Sequence, residues 1–432
     1  MFVSKNLDVN EKGHLTISGV DAVELAKEYG TPLYVMDESL IRENCAQFRR
    51  SFEQYYHGAG LACYASKAFC CKEMCRIASE EGMGLDVVSI GELYTALSAG
   101  FPADKIYFHG NNKSDEELRY ALEQQIGCIV VDNPEELERL NALACKLGKK
   151  PDIMFRIKPG IDAHTHDFIR TGQIDSKFGL ALETGEAMQV LKQAVRMEHV
   201  HLKGVHCHIG SQIFDIEPFK LAAKVMLGFL ADLKEQTGYE VEQLNLGGGF
   251  GIKYVPEDEP VPYEEYIKEV SAVVAEESKR LNITQPFILI EPGRSIVGPA
   301  GVTLYTVGAV KEIPGIRTYV SVDGGMTDNP RYALYQSKYD MAIANAASEP
   351  KETVVTVAGK CCESGDLLGE GVPLQKTKGG DILAVFATGA YNYSMASRYN
   401  RTAIPAVVMV KEGSHRLVVK RETLEDLVKN DL

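Results

Sequence analysis

The chain has 432 residues, of which 45% are hydrophobic and 25% charged, with a formal net charge of −14. That length admits two domains with cores of their own, and the acidic balance excludes a general nucleic-acid-binding role. The 10 cysteines are scattered without a CxxC pair or zinc-type spacing, so they read as reduced thiols, with Cys70, Cys71 and Cys75 along one helix. No apolar run reaches membrane-spanning length, and residues 1–10 lack a signal-type apolar segment, which predicts a cytoplasmic protein with no membrane partner.

In chain order, residues 14–18 read as a strand and 19–29 as a helix that leads into a repeating region. Short apolar runs follow at 61–66, 84–89, 105–110, 128–132, 152–158, 204–210, 243–249 and 287–293. Helical stretches at 71–81, 91–99, 114–124, 134–147, 217–237 and 263–281 lie between them. Several open on start signals, as where Ser114 precedes Asp115, Glu116 and Glu117. Eight buried strands alternating with helices over about 250 residues predict a (β/α)8 barrel within an α/β chain. A doubly wound open sheet is the rival, because strand order is not legible in a sequence. Polar residues at the ends of many different strands favour the barrel. Beyond residue 295 the texture becomes strand-like at 302–310, 318–322, 353–358, 381–388, 406–410 and 416–420, the pattern of an all-β domain. The expected division is a barrel over 30–295 and a β domain built from 1–29 plus 296–432.

Chemistry in such a barrel gathers at the C-terminal ends of its strands. Those ends carry Lys67, Asp86, His109, His206, His208, the run Gly247, Gly248 and Gly249, and Glu291-Pro292-Gly293-Arg294. Lys67 closes an apolar strand, where an amine is costly to desolvate unless it is paired or used as a nucleophile toward a carbonyl. An ordinary solvated strand-end lysine is the plain alternative. The triglycine strips away side chains, so that backbone N–H groups can converge on an anion, or it is a tight turn. Arg294 follows another glycine in the next loop, and the two loops together suggest a phosphate cradle. Neither matches a nucleotide-binding fingerprint. An amine facing a phosphate cradle suggests pyridoxal phosphate, with Glu291 near enough to hold its pyridine nitrogen protonated. Among His199, His201, His206 and His208, strand spacing puts His206 and His208 on one face, as a zinc pair needs. No third ligand lies nearby in sequence, and an imidazole stacked on a planar cofactor fits better, so no metal is expected. His109, His164 and His166 read as structural or loop residues.

The segments Tyr64-Ala65-Ser66-Lys67, 84–89 with Gly91-Glu92-Leu93, Phe108-His109-Gly110-Asn111 and 208–212 resemble the pyridoxal-phosphate-dependent decarboxylases of the alanine-racemase-like fold. So do 247–251, 291–294, 362–366 and Gly389-Ala390-Tyr391. The motifs run in family order over nearly the whole chain. Within that family they are most similar to the branch that converts meso-2,6-diaminopimelate to L-lysine and carbon dioxide, the last step of lysine formation. The resemblance implies that Lys67 holds the cofactor covalently, that His208 stacks on its ring and that Glu291 pairs with the ring nitrogen. It assigns the phosphate to Ser211, Gly247, Gly248, Gly249, Gly293 and Arg294, and leaves Asp86 to orient the cofactor region. It further implies that Cys362 is the proton donor. Glu363, Arg294, Arg331, Tyr335 and Tyr391 then contact substrate, Tyr391 also the cofactor. Because Cys362 and Glu363 come from the partner subunit in that family, a homodimer is expected. Ala65-Ser66 and Asn392-Tyr393 depart from the usual family wording without removing a functional side chain. Without the resemblance Arg331 reads as a loop arginine and Cys362 as a small buried hydrophobe. The rivals are a decarboxylase of ornithine, arginine or lysine, and a catalytically dead regulatory homologue, which retention of Lys67 and Cys362 disfavours.

Overall fold

The structure, a computed structural model, describes residues 2–161 and 175–432; His164 and His166 lie outside the described residues. Two compact units emerge. One comprises 44–251 and 260–293, the other 1–43, 252–259 and 294–432.

The first unit is the barrel. Its strands are β1 (Gly60–Ala65), β2 (Gly84–Val87), β3 (Ile106–Phe108), β4 (Cys128–Val131), β5 (Asp152–Lys158), β6 (His201–Cys207), β7 (Gln243–Asn245) and β8 (Phe287–Ile290). They pair in parallel in sequence order, and β8 pairs with β1 to close the sheet. Closure rules out the doubly wound rival, whose sheet has two open edges. Cys63, Tyr107, Cys128, Val130, Met154 and Leu289 fill the interior in one buried cluster, as alternate inward-facing positions of a barrel must. The helices between strands begin where local chemistry dictates. Ser114 and Glu117 form a reciprocal capping box at Asp115–Gln124, and Asn133 caps Pro134–Leu147, which ends on left-handed Gly148. The helices Glu38–Tyr55 and Glu186–Val195 were not expected from the sequence.

The second unit holds a nine-stranded sheet that includes Gly301–Ile313, Arg317–Val322, Thr353–Ala358, Leu367–Leu374, Ile382–Phe386, Ala406–Lys411 and Ser414–Val419. The expected range of 30–295 for the barrel requires correction. Leu33–Asp37, a buried strand that is apolar up to its last residue, pairs with Gly301–Leu304 and with 406–410 inside this sheet. Segment 252–259 also belongs to this unit. The expected strand at 14–18 forms as Leu15–Ile17, but in a separate three-stranded antiparallel sheet with Leu7–Val9 and Val20–Asp21. The helix after it, Ala22–Tyr29, is capped by the Asp21 carboxylate and leads to Leu33–Asp37 rather than into the barrel. Among the described residues no helix is long and apolar enough to cross a membrane.

Candidate active site

In the barrel unit β1 stops at Ala65, and Lys67 sits two residues on, in the single 3-10 turn Ser66–Ala68. The turn is fixed by its neighbours. The fully buried Ser66 hydroxyl donates to Glu92 Oε2 at 2.6 Å, which also accepts the Val88 N–H at 2.8 Å, and the Ala65 N–H donates to Pro292 O at 3.1 Å. The Lys67 side chain is exposed. The premise of a desolvated strand-end amine is therefore corrected: the strand ends before the lysine, which an anchored turn carries as an exposed residue within electrostatic reach of Asp86 and His208.

Glu291 follows β8 and is buried. Its Oε1 accepts from Asn245 Nδ2 at 2.7 Å, and its Oε2 pairs with His206 Nε2 at 3.1 Å. His109 Nε2 lies 2.8 Å from Oε1, at ion-pair distance but off the direction of a hydrogen bond, and 3.7 Å from Asp86 Oδ1. Burial on its own would raise the Glu291 carboxyl, but His109 and His206 outweigh it and hold it well below the usual carboxylate range. Burial pushes His206 down to about 4, so at neutral pH it is a neutral imidazole donating to an ionised Glu291. Burial also pushes Asp86 up to about 6, with His109 and Lys67 opposing and Glu291 reinforcing. One lone pair on Oε2 is not used by these contacts.

His208, just past β6, is half-buried, and its Nδ1 accepts the Gly248 N–H at 3.2 Å. Burial, then Lys67 and Arg156, hold it well below its ordinary value, so the ring is neutral. His201 instead starts β6 and pairs with Asp152 at 2.8 Å, at the far end of the strands. The triglycine is required sterically. Gly247 has φ +70°, and a Cβ on Gly248 would stand 2.1 Å from Glu291 O. The amides of Gly247 and Gly248 donate to Asn245 Oδ1 (2.9 Å) and His208 Nδ1, so two of the three expected cradle donors are turned to protein. Gly293 packs on the Lys67 turn, since its Cβ would lie 3.0 Å from Ala65 Cβ. Ser211 is half-buried beyond His208.

Sequence reasoning left His109 as structural although it stands at a strand end. It also passed over Asn245 and Arg156, a β5 side chain whose charge acts on Asp132, Glu291 and Asp86. The ground on which a metal was set aside needs correction too. One donor atom each from His109, His206 and Glu291 lie within 4.8 Å of one another, brought together by three strands far apart in sequence.

In the β unit two buried arginines share two tyrosine rings. Arg294 opens the short helix Arg294–Val297; its Nη1 donates to Tyr254 Oη, and its guanidinium lies 5.7 Å from the Tyr254 ring and 4.8 Å from that of Tyr391. Arg331 opens Arg331–Tyr335 and donates through Nε to Tyr339 Oη at 2.8 Å and through Nη2 to Ser337 Oγ at 3.3 Å. Its guanidinium lies 5.7 Å from Tyr254, 5.5 Å from Tyr391 and 5.7 Å from Tyr335. Tyr391 adopts φ +72°, a strained backbone for a bulky residue. Burial alone would raise the Tyr254 phenol, yet Arg294 and Arg331 bring it below its ordinary value. Tyr254 and Tyr339 carried no sequence signal.

Cys362 and Glu363 are both exposed, on a loop built around buried Asp366. That carboxylate accepts the N–H groups of Met326 (2.6 Å) and Cys361 (2.7 Å), and the Cys362 N–H donates to Asn400 Oδ1 at 3.0 Å. The reading of Cys362 as a buried hydrophobe is overturned by this exposure.

Residues 38–298 match the family of the pyridoxal-binding domain of pyridoxal-dependent decarboxylases. The chain is 54% identical to the diaminopimelate decarboxylase of Bacillus subtilis, covering 100% of this chain and 98% of that one. Among solved structures it is similar to the diaminopimelate decarboxylase of M. jannaschii, with a TM-score of 0.93 at 37% identity over 100% of this chain and 99% of that one. The complex of that enzyme with L-lysine matches at 0.92, with the same identity and coverage. This chain belongs to the diaminopimelate decarboxylase family of pyridoxal-dependent decarboxylases.

Proposed function

We propose that the chain decarboxylates meso-2,6-diaminopimelate to L-lysine and carbon dioxide with pyridoxal phosphate as cofactor. The residues present fit that group. Ionised Glu291, with an Oε2 lone pair to spare, suits a protonated pyridine nitrogen, the exposed Lys67 amine suits an aldehyde, and neutral His208 offers a flat ring face. Ser211, Gly249 and Gly293 take the phosphate, Gly247 and Gly248 shape the loop beneath them, and Asp86 orients the region. Bound there, the cofactor supplies an electron sink for the pair left when carbon dioxide departs.

The chain's own groups do the rest. Lys67 anchors the cofactor. Arg294 and Arg331 draw anionic groups, with Tyr335 and Tyr391 lining their guanidinium faces. Glu363 supplies the anion for the distal ammonium, and Cys362 delivers the proton to the carbon that lost its carboxylate. The observation that carries the substrate assignment is the pair of buried guanidiniums hydrogen-bonded to phenols, 7% and 8% exposed. Two positive charges there suit a second carboxylate at the far end of the substrate, beyond the one that is lost. The cofactor-loaded protein should release carbon dioxide and L-lysine in equal amounts from meso-diaminopimelate; absence of L-lysine would overturn the reading.

We also infer a homodimer with shared sites. The exposed thiol and carboxylate on a loop pinned by Asp366 support this, since a rigid loop can present both groups to a second chain. Mixing Lys67→Ala with Cys362→Ala protein should restore activity in part. No recovery after demonstrated subunit exchange would refute sharing.

A further inference from the structure

Asp86, His109, His206 and Glu291 come from the ends of β2, β3, β6 and β8 into one buried cluster, each under a tenth exposed. His109 bridges it. Its Nε2 is 2.8 Å from Glu291 Oε1 and 3.7 Å from Asp86 Oδ1, and its ring meets His206 edge-on at 4.7 Å. The backbone beneath is anchored. The His109 N–H donates to Val87 O at 2.8 Å, and Lys113, 2% exposed, donates to Gly110 O and Val130 O at 2.8 Å each while pairing with Glu136 at 2.8 Å. A buried lysine held by two hydrogen bonds and an ion pair leaves this strand end little freedom.

Asn245 and His206 each contact one oxygen of Glu291, so these two residues hold the plane of the carboxylate at two points. His109 adds a third point of contact, on Oε1 and from a third strand end, which restrains the tilt of that plane. Arg156 and Lys67 face the same cluster and favour ionised carboxylates, while burial keeps the thiols of Cys63 and Cys207 protonated. We propose that His109 is a positioning residue: it locks the Glu291 carboxylate in the orientation from which it recognises a protonated ring nitrogen of the cofactor.

This rests on the reading that pyridoxal phosphate pairs with Glu291, and the test separates the two. The full chain, stripped of cofactor, is titrated calorimetrically with pyridoxal phosphate and with its 1-deaza analogue, which has carbon in place of the ring nitrogen. The unmodified protein should prefer pyridoxal phosphate by about 30-fold, the scale of one charge-assisted hydrogen bond. His109→Leu should cut that preference to about fivefold or less with little change for the analogue, and His109→Gln, which keeps an N–H at similar reach, should restore most of it. Should His109→Leu not fold, His109→Asn, whose amide falls short of Oε1, must show the same loss. Undiminished preference in any folded variant that lacks the contact overturns the role of His109. No preference in the unmodified protein overturns the Glu291 pairing itself.

Discussion

The C-terminal end of the barrel and the arginine pair of the β unit both bury charge, and they do so in opposite ways. In the barrel, carboxylates and bases alternate, with Asp86 and Glu291 set among His109, His206 and Arg156. Each charge is stabilised by its neighbours, and each was delivered by strand register. In the β unit, Arg294 and Arg331 rest on the phenols of Tyr254 and Tyr339. Phenols satisfy donors without neutralising charge, so this region keeps a positive potential for an anion that arrives from outside. A compensated network suits a group that must stay fixed through turnover; an under-compensated one suits a ligand that comes and goes.

The largest test of this contrast is Lys67→Ala, which removes the anchor of the barrel half. Activity should fall by about a thousandfold or more, and borohydride reduction followed by peptide mapping, which should label Lys67 in the unmodified protein, should label nothing. Label on another lysine would break the assignment. Next comes Arg331→Ala in the β unit. Leaving a substrate carboxylate without its partner costs about 3–5 kcal/mol, so kcat/KM for diaminopimelate should drop by more than about a hundredfold while cofactor affinity, measured by absorbance titration, stays put. Equal loss of both would blur the distinction between the two regions.

The barrel half was the more legible of the two in sequence. Runs such as 128–132 and 152–158 announced β4 and β5 because buried parallel strands are nearly uniform in apolar character. The residues toward the ends of such runs included Lys67, Asp86, His208 and Glu291. What could not be read was partnership. That His109, His206 and Asn245 converge on Glu291 depends on strand order around a closed sheet, and no local pattern encodes it. Leu33–Asp37 was misplaced for a related reason: an apolar strand looks alike in either unit. Tyr254 was missed because segment 252–259 leaves the barrel alternation without a composition change. Arg331 and Tyr391 had no periodicity to mark them, and only the resemblance of their motifs singled them out.

A third test uses a charge cluster of the β unit that is separate from the arginine pair. Glu38, with its side chain 4% exposed, contacts Arg42 at 2.8 Å, Lys411 at 3.2 Å and Arg416 at 2.5 Å. Burial opposes ionisation, but these three cations outweigh it and hold the carboxyl at about 2. A folded value below the unfolded one, near ~4.3, means the stabilisation is present above that pH and is lost as pH falls toward about 2. Glu38→Gln should therefore lower stability at neutral pH by about 2–3 kcal/mol, and the difference between variant and parent in denaturant melts should shrink below pH 4. An unchanged difference at low pH would contradict the linkage. The smallest expected effect is that of Tyr254→Phe. Loss of one hydrogen bond to Arg294 should raise KM for diaminopimelate by about fivefold, roughly 1 kcal/mol, with kcat little altered; a fall in kcat alone would place Tyr254 in the chemistry instead.

The most direct measurement is the ratio of kcat/KM for meso-diaminopimelate to that for L-ornithine in the unmodified, cofactor-loaded enzyme. If Arg294 and Arg331 serve a second carboxylate, ornithine leaves a buried guanidinium without its partner, and the ratio should exceed about one hundred. A ratio near unity would contradict the account and assign the chain to diamine formation.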